Sequence, residues 1–556
     1  MNGGGTKRKR SRTACRPCKD RKRKCDGESP CVTCTEWGYD CFYDASAPKN
    51  DTRRASVRVA KAFVEPKLSP QSEYERSRVS PKPTPGELVG RLEANSSAAF
   101  VRNLALKIDP TKAPKLSLFG WNVGLRHDTT TQYSSHPMRI HEIASLEQFQ
   151  TLATAYFDKL DPTYGFIDRA DFFQRLVLRL QSPWIAPDKF DTVIAGIGAL
   201  GSLFSNRTAP KTEFHLVETC RSILEARYLK RPPCVDIITG WTLRGIYLRI
   251  TGTPYEIWVA STTLMHLLQA AGLHTETHSA LHTNAEQSDL DIKQRLVGVA
   301  QHLNIWVSYD LGLTRVSFNE EVTPSLPMSR PGNCTPEIIS LLPLAIALDP
   351  SHGKDNMDLT SALSELLERT HTASGFILAK SNLVLCILRR IYSQNSIIAS
   401  ELIEPTLALF KSALRRAAQQ VEACAPWHQV ANIPFQILYM LLVINTRASL
   451  ELLPEAMRTL QYVVSEYNTE SMREAYSVAG LLLLLHQQRK KDDVSVLDKA
   501  LSTYREGTHF ETEPRPVEEA EDFSWIGTLV ADMPGIQGLD LDQLFAGDMG
   551  QDEFQE

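Results

Sequence analysis

No stretch of this 556-residue chain is apolar over the roughly 20 residues that a helix needs to cross a bilayer; the richest runs, Ile433 to Ile444 and Gly480 to Leu485, stop well short. The glycines and the Lys/Arg run at the start have no apolar stretch behind them, so neither a membrane span nor a secretory signal is expected. A protein of the reducing interior is the expectation, where cysteines serve as metal ligands or buried apolar residues more often than as disulfide partners. Alternating apolar and polar runs are few, and no repeat of roughly 20 to 50 residues recurs, which argues against sheets and against a regular solenoid. Nucleophile elbow, phosphate-binding loop and His-Glu-x-x-His signature are all missing. His215, Glu218 and Cys220 are close in sequence and Asp310 follows His302, but they complete no catalytic set. They are read as structural or surface groups, and Trp241, Trp258 and Trp306 as core, so an enzyme is the weaker hypothesis.

What is present is sharply partitioned. With 42% hydrophobic and 23% charged residues the chain is ordinary for a globular protein long enough for two or more domains. Its net charge of -4, however, conceals two opposed ends. Eleven bases (Lys7, Arg8, Lys9, Arg10, Arg12, Arg16, Lys19, Arg21, Lys22, Arg23, Lys24) stand at the start against Asp20 alone, whereas thirteen acids follow position 510 against Arg515 alone. The first end suits a polyanion and the second is repelled by one.

Six of the eleven cysteines crowd into 27 positions, as Cys15, Cys18, Cys25, Cys31, Cys34 and Cys41. The other five, Cys220, Cys234, Cys334, Cys386 and Cys424, are scattered and read as core residues. Residues 44–86 are rich in Ser, Lys, Arg and Pro with little apolar periodicity, a flexible linker that separates two units. From 87 to 505, segments such as Leu146 to Leu160, Phe214 to Leu229, Ile257 to Leu273, Ile292 to Tyr309, Ile377 to Tyr392, Ile403 to Val421 and Leu497 to Tyr504 carry apolar residues at three- and four-residue intervals, which predicts an all-helical unit. Asp161-Pro162, Pro232-Pro233 and Thr251 to Pro254 mark turns between helices. The tail 511–556 is expected to be disordered when unbound, because its acids repel and its few bulky residues cannot form a core.

The cysteine spacing is C-x2-C-x6-C, a gap of five residues, then the same again. Structural zinc takes four ligands in a tetrahedron, so three thiolates per half leave each metal one short. One cysteine from each half, bridging both metals, closes the deficit, and six sulfurs then serve two Zn2+ ions; no histidine lies in the segment to substitute. So few residues surround the metals that zinc must supply much of the folding free energy. Between the first half's cysteines runs Lys19-Asp20-Arg21-Lys22-Arg23-Lys24, which suits phosphates and base edges, while the second half carries Thr35-Glu36-Trp37-Gly38-Tyr39-Asp40. Arginine pairs bidentately with guanine O6 and N7, so a G/C-containing site in double-stranded DNA is predicted. A zinc module for protein contacts without sequence-specific DNA binding, or a disulfide cluster, stays open as the alternative. The basic arm 1–14 reads as a nuclear import signal with added phosphate contacts, against the plainer reading of a solvated tail.

In residues 15–43 the sequence resembles the fungal binuclear zinc cluster transcription factors, whose pattern is met at every cysteine. The resemblance implies that Cys15 and Cys31 bridge the two zincs, that Arg21 and Lys22 contact the bases of CGG triplets, and that Pro30 forms the loop turn. Arg12, Arg16, Lys19, Arg23 and Lys24 are then assigned to phosphates. The stretch 145–318 resembles the regulatory middle homology domain of the same family, through Tyr156-Phe157-Asp158-Lys159-Leu160-Asp161-Pro162, Leu243 to Arg249, Trp258, Ala271 to His274 and Trp306 to Gly312. That resemblance implies a regulatory role in ligand sensing or dimerisation, so a homodimer and a small-molecule effector are carried as expectations, as is an activator of a metabolic pathway or biosynthetic gene cluster. In the tail, Trp525, Ile526, Leu529, Leu541, Leu544 and Phe545 are the candidates for docking into a coactivator while the acids steer the encounter, against the blander reading of a solubilising end.

Overall fold

A computed structural model of the chain describes residues 14–20, 25, 31–37, 41, 93–108, 121–126, 138–181, 186–227, 232–276, 284–318, 326–349 and 357–507. The chain divides into two compact units, Met1–Pro81 and Lys82–Glu556. Neither the linker 44–86 nor the tail 511–556 lies within the described residues.

In the first unit the duplicated spacing becomes duplicated structure. Helix α1 (Arg16–Asp20) and helix α2 (Val32–Trp37) each begin immediately after the first cysteine of a half. Lys19 N–H donates to the Cys15 carbonyl and Thr35 N–H to the Cys31 carbonyl, both at 3.0 Å, so each C-x2-C segment closes one helical turn and presents its two thiols on the same side. Cys15, Cys18, Cys31 and Cys34 are buried, with Cys25 and Cys41 packed against them. Among the described residues this interior is sulfur alone.

Apart from one isolated bridge between Arg330 and Asn333, the regular structure of the second unit's described residues is helical, with turns and loops between the helices. Its first part comprises α3 (Ser97–Ile108), α4 (Ile140–Ile143), α5 (Leu146–Lys159), α6 (Arg169–Gln181), α7 (Phe190–Leu203), α8 (Lys211–Arg227), α9 (Val235–Thr251), α10 (Pro254–Ala270), α11 (Leu273–Glu276) and α12 (Asn284–Leu311). Its second part comprises α13 (Thr335–Ile339), α14 (Leu342–Ala347), α15 (Leu359–Glu368), α16 (Ser374–Ser393), α17 (Ser400–Glu422), α18 (His428–Ile444), α19 (Arg447–Glu466) and α20 (Glu470–Gly507). One apolar core runs through both.

Local chemistry sets the helix starts. Ser145 caps α5 with a reciprocal pair: its hydroxyl accepts from Gln148 N–H at 3.3 Å, and the Gln148 side chain accepts from Ser145 N–H at 2.9 Å. Thr253 and Glu256 repeat this at α10, with Pro254 at the first helical position, where no N–H is needed. Two helices present almost no face to solvent. Every residue of α7 is buried, and so are Gln429 to Leu442 of α18. Around α7 pack α5, α8 and α9; around α18 pack α16, α17, α19 and α20. Glycines permit the tightest crossings, since a Cβ at Gly201 would lie 2.0 Å from the Leu152 carbonyl oxygen on α5. Most predicted segments match helices. Leu497 to Tyr504, however, is only the end of a 38-residue helix that starts at Glu470.

Candidate metal centre and nucleic-acid interface

The Sγ atoms of Cys15, Cys18, Cys25 and Cys31 all lie within 4.8 Å of one another, and so do those of Cys15, Cys31, Cys34 and Cys41. Cys15 and Cys31 belong to both groups. Their sulfurs are 3.7 Å apart; Cys18 is 3.6 Å from Cys31, Cys15 is 3.5 Å from Cys34, and Cys18 is 3.9 Å from Cys34. A tetrahedral zinc with Zn–S near 2.3 Å has edges of about 3.8 Å, so the spacing suits thiolates around metal. Every cysteine is a free thiol, and these separations far exceed the about 2.05 Å of a disulfide. The disulfide reading therefore drops out.

The halves also share their hydrogen bonding. Cys15 N–H donates to Cys25 Sγ at 3.5 Å, and Cys31 N–H donates to Cys41 Sγ at 3.2 Å, which orients the outer ligand of each half. Cys34 N–H donates to Cys31 Sγ at 3.3 Å. Burial pushes the thiols of Cys15 and Cys18 up and that of Cys34 up to about 12. At Cys31 burial is outweighed by hydrogen bonds from the Cys34 backbone and the neighbouring thiols, which bring it down to about 6. Thiols held this close ionise together only if cations balance them, which is what two divalent metals supply.

Arg16 and Lys19 are exposed on α1. Arg12, Arg21, Lys22, Arg23 and Lys24 lie outside the described residues, as do Trp525, Ile526, Leu529, Leu541, Leu544 and Phe545.

Residues 13–50 match the family model of the fungal Zn(2)-Cys(6) binuclear cluster domain, and residues 153–424 match that of the fungal specific transcription factor domain. The chain is 38% identical over 546 residues to a protein named RDR1 from Gibberella zeae, covering 98% of this chain and 99% of the relative. It is 31% identical to the transcription factor kojR of Aspergillus oryzae, over 94% of this chain and 91% of that one. A protein named RDR1 from Saccharomyces cerevisiae is 29% identical, with 89% and 92% covered.

This chain belongs to the fungal Zn(2)-Cys(6) transcription factors.

As a member of that family it is a DNA-binding transcription factor rather than an enzyme, and its cluster domain binds two zinc ions. The family's domain reaches well past the stretch 145–318 that the sequence resemblance covered. Among the described residues no helix is long and apolar enough to cross a membrane.

Within the helical domain of this Zn(2)-Cys(6) factor, Cys220, Cys334 and Cys386 are core residues as expected, but Cys234 and Cys424 are only half-buried. Cys234 stands at the position before α9, where its side chain makes no capping hydrogen bond, and Cys424 sits at a positive φ of 53° in the turn after α17. Trp241 and Trp306 are buried. Trp258 is partly exposed and donates from Nε1 to the Thr314 carbonyl at 3.1 Å. His302 is enclosed, its ring 5.7 Å from that of Tyr164; burial and the nearby Arg249 push its pKa down to about 3, so it stays neutral. Asp310 is buried against Arg249.

Sequence reading missed the size of this buried ionic framework. Arg295, wholly buried, donates to Asp291 at 2.8 Å and to Asn333 at 2.9 Å, and Arg330 reaches the same Asp291 at 2.7 Å. Asn333 donates on to the Asp161 carbonyl at 2.6 Å, which ties the α5 turn to the segment before α13. The only local signal was the i, i+4 pairing of Asp291 with Arg295.

Proposed function

We propose that this transcription factor reads CGG-type triplets in double-stranded DNA and activates genes of a metabolic pathway or biosynthetic cluster from the nucleus. The observation that carries the reading is the pair of four-sulfur groups sharing Cys15 and Cys31, with α1 leading straight into the basic segment 19–24. Cys15 and Cys31 would be shared by the two zinc ions, with Cys18 and Cys25 completing one site and Cys34 and Cys41 the other. Held this way, the segment after α1 offers Arg21 and Lys22 to base edges, while Arg12, Arg16, Lys19, Arg23 and Lys24 hold phosphates. The arm 1–14 adds import and backbone contacts. The acidic tail recruits coactivators through Trp525, Ile526, Leu529, Leu541, Leu544 and Phe545.

Selection of the full zinc-loaded chain against a randomised duplex pool tests this. Enrichment of CGG triplets, abolished by a chelator and weakened at least tenfold by Arg21→Glu, is the expected result. Two zincs with no enriched sequence would sink the DNA-reading claim and leave a zinc-stabilised protein-interaction module. Fusing residues 511–556 to a foreign DNA-binding domain tests activation, and an inactive reporter would reject it. Sedimentation mass decides the homodimer, and ligand-induced thermal shifts of the helical domain decide the effector.

A further inference from the structure

Helices α3, α16, α18 and α20 enclose a recess of about 190 Å³. Leu104 of α3, Leu442 of α18 and Leu482 of α20, all buried, give it an apolar floor, and the half-buried ring of Tyr392 of α16 gives it a wall. Its rim is basic. Lys107 comes from the last turn of α3 and Arg489 and Lys490 from α20, all three exposed. On α20 the lining residues Leu482, His486, Arg489 and Asp493 recur at intervals of four, three and four, one helical face turned toward the recess. Lys491 does not line it and stands half a turn away from Leu482, at about 100° per residue. The basic rim is thus gathered from two helices far apart in sequence and is more than a charge run on one solvated face.

These bases are unbalanced. Asp493 is the sole acid among the lining residues, and among the described residues none of Lys107, Arg489 and Lys490 holds a carboxylate partner. Lys107 instead stands over the Tyr392 ring, its Nζ 5.1 Å from the centroid. His486 adds a polar atom in want of a ligand, because its Nε2 is buried and has no hydrogen-bond partner. Burial, Lys490 and Arg489 push the His486 pKa down against the opposing pull of Asp493, so at neutral pH the ring is uncharged. In the tautomer that carries its proton on Nε2, that nitrogen donates to an anion. Asn445, held at a left-handed φ of 54° in the turn after α18, adds an exposed amide to the same lining.

We propose that this recess binds a small aromatic acid, its ring on the floor of Leu442 and Leu482 and its single carboxylate among Lys107, Arg489, Lys490 and His486. Size sets the body. An apolar cavity of about 150 Å³ holds benzene, so about 190 Å³ leaves room for one ring and one carboxylate. Charge sets the head. A cation would meet three bases, a neutral molecule would leave them unbalanced, and a second negative charge would crowd Asp493. A carboxylate at the exposed rim keeps part of its hydration, so it avoids most of the cost of burying a charge. Inorganic phosphate could use the rim but has nothing to place on the floor. The recess gives the small-molecule effector a place and a chemical class, and only the regulatory consequence of binding rests on that reading.

Calorimetric titration of the full-length zinc-loaded protein with benzoate tests the site without any transcriptional readout. Saturable binding with a Kd of about 1 mM or tighter is expected, with acetate, inorganic phosphate, benzyl alcohol and benzylamine each weaker by at least about tenfold. Arg489→Glu/Lys490→Glu weakens benzoate by at least about tenfold, whereas Lys491→Glu leaves it unchanged. Both side chains of the double variant are exposed, so its unchanged thermal unfolding is the folding control. Lack of saturable binding at millimolar benzoate overturns the proposal. Benzyl alcohol binding as well as benzoate also overturns it, leaving an apolar cavity indifferent to charge, and phosphate or acetate binding as well leaves a cluster of bases with no use for the floor. Binding that survives the double variant places benzoate elsewhere, and equal weakening by Lys491→Glu assigns the effect to the general field of α20; either rejects the site. Benzoate binding that meets every expectation without changing output from a CGG-driven reporter removes the effector reading and leaves the site standing.

Discussion

At the scale of single residues, the cysteines differ in what their loss removes. A bridging sulfur serves two tetrahedra, whereas an outer one serves a single metal. Cys31→Ser is expected to leave fewer than one zinc per chain and Cys25→Ser about one, measured by elemental analysis of purified protein; equal losses would show that the sulfurs are not shared as assigned. In the helical domain, His302 is the informative titrating group. Its folded pKa, near 3, lies below the ordinary value of 6.5, so the unfolded chain binds the extra proton between these limits. Stability from its neutral burial is present in full above about pH 6.5 and falls as the pH drops toward 3, by about 1.4 kcal/mol per pH unit. His428, pushed down by burial, by Arg249 and by His302, adds to this fall. Asp161, raised to about 6 chiefly by burial, opposes it, since its protonated form is the one favoured in the fold. Urea unfolding between pH 7.5 and 5 should therefore show a shallower decline for His302→Gln than for the wild type; identical slopes would remove His302 from the account.

At the scale of helices, α7 and α18 show where periodicity stops being informative. A helix buried on all sides shows no apolar stripe, so Phe190–Leu203 offers no 3.6-residue face to read, although its Gly196, Gly198 and Gly201 hint at close crossings. Gly201→Ala is expected to destabilise the domain by about 1 to 3 kcal/mol in thermal or chemical unfolding, because the added methyl meets a backbone oxygen that cannot yield. Gly480 is the matched control. It sits inside α20 with nothing within 4 Å of an added Cβ, so Gly480→Ala should stabilise by about 0.5 to 1 kcal/mol. Amphipathic segments such as α5, α10 and α17 were legible because their polar and apolar faces differ. For α20 the periodicity at its far end was visible, but not that the helix projects beyond its neighbours.

For the whole molecule, metal and apolar burial hold different units, so they should fail separately. Chelation is expected to abolish DNA binding while leaving the thermal unfolding of the helical domain within about a degree of the untreated protein; a common loss would mean that the units depend on one another. With Arg12, Arg16, Lys19, Arg23 and Lys24 on phosphates, log affinity plotted against log salt should have a slope of about -4 to -5 per bound chain, at about -0.9 per contact. A slope near zero would remove the phosphate assignments. The metal centre could be read from residues alone because all six ligands lie within 27 positions and their spacing closes the coordination almost by itself. The opposed charge of the two ends and the helical character of the middle were legible for the same reason, since both are carried by near neighbours in the chain. Which helices are wholly enclosed, that Arg295 also reaches Asn333, that Arg249 faces Asp310, and that the far end of α20 is exposed were decided only by tertiary structure. Those outcomes depend on burial among residues tens to hundreds of positions apart, and no local spacing encodes which of them will meet.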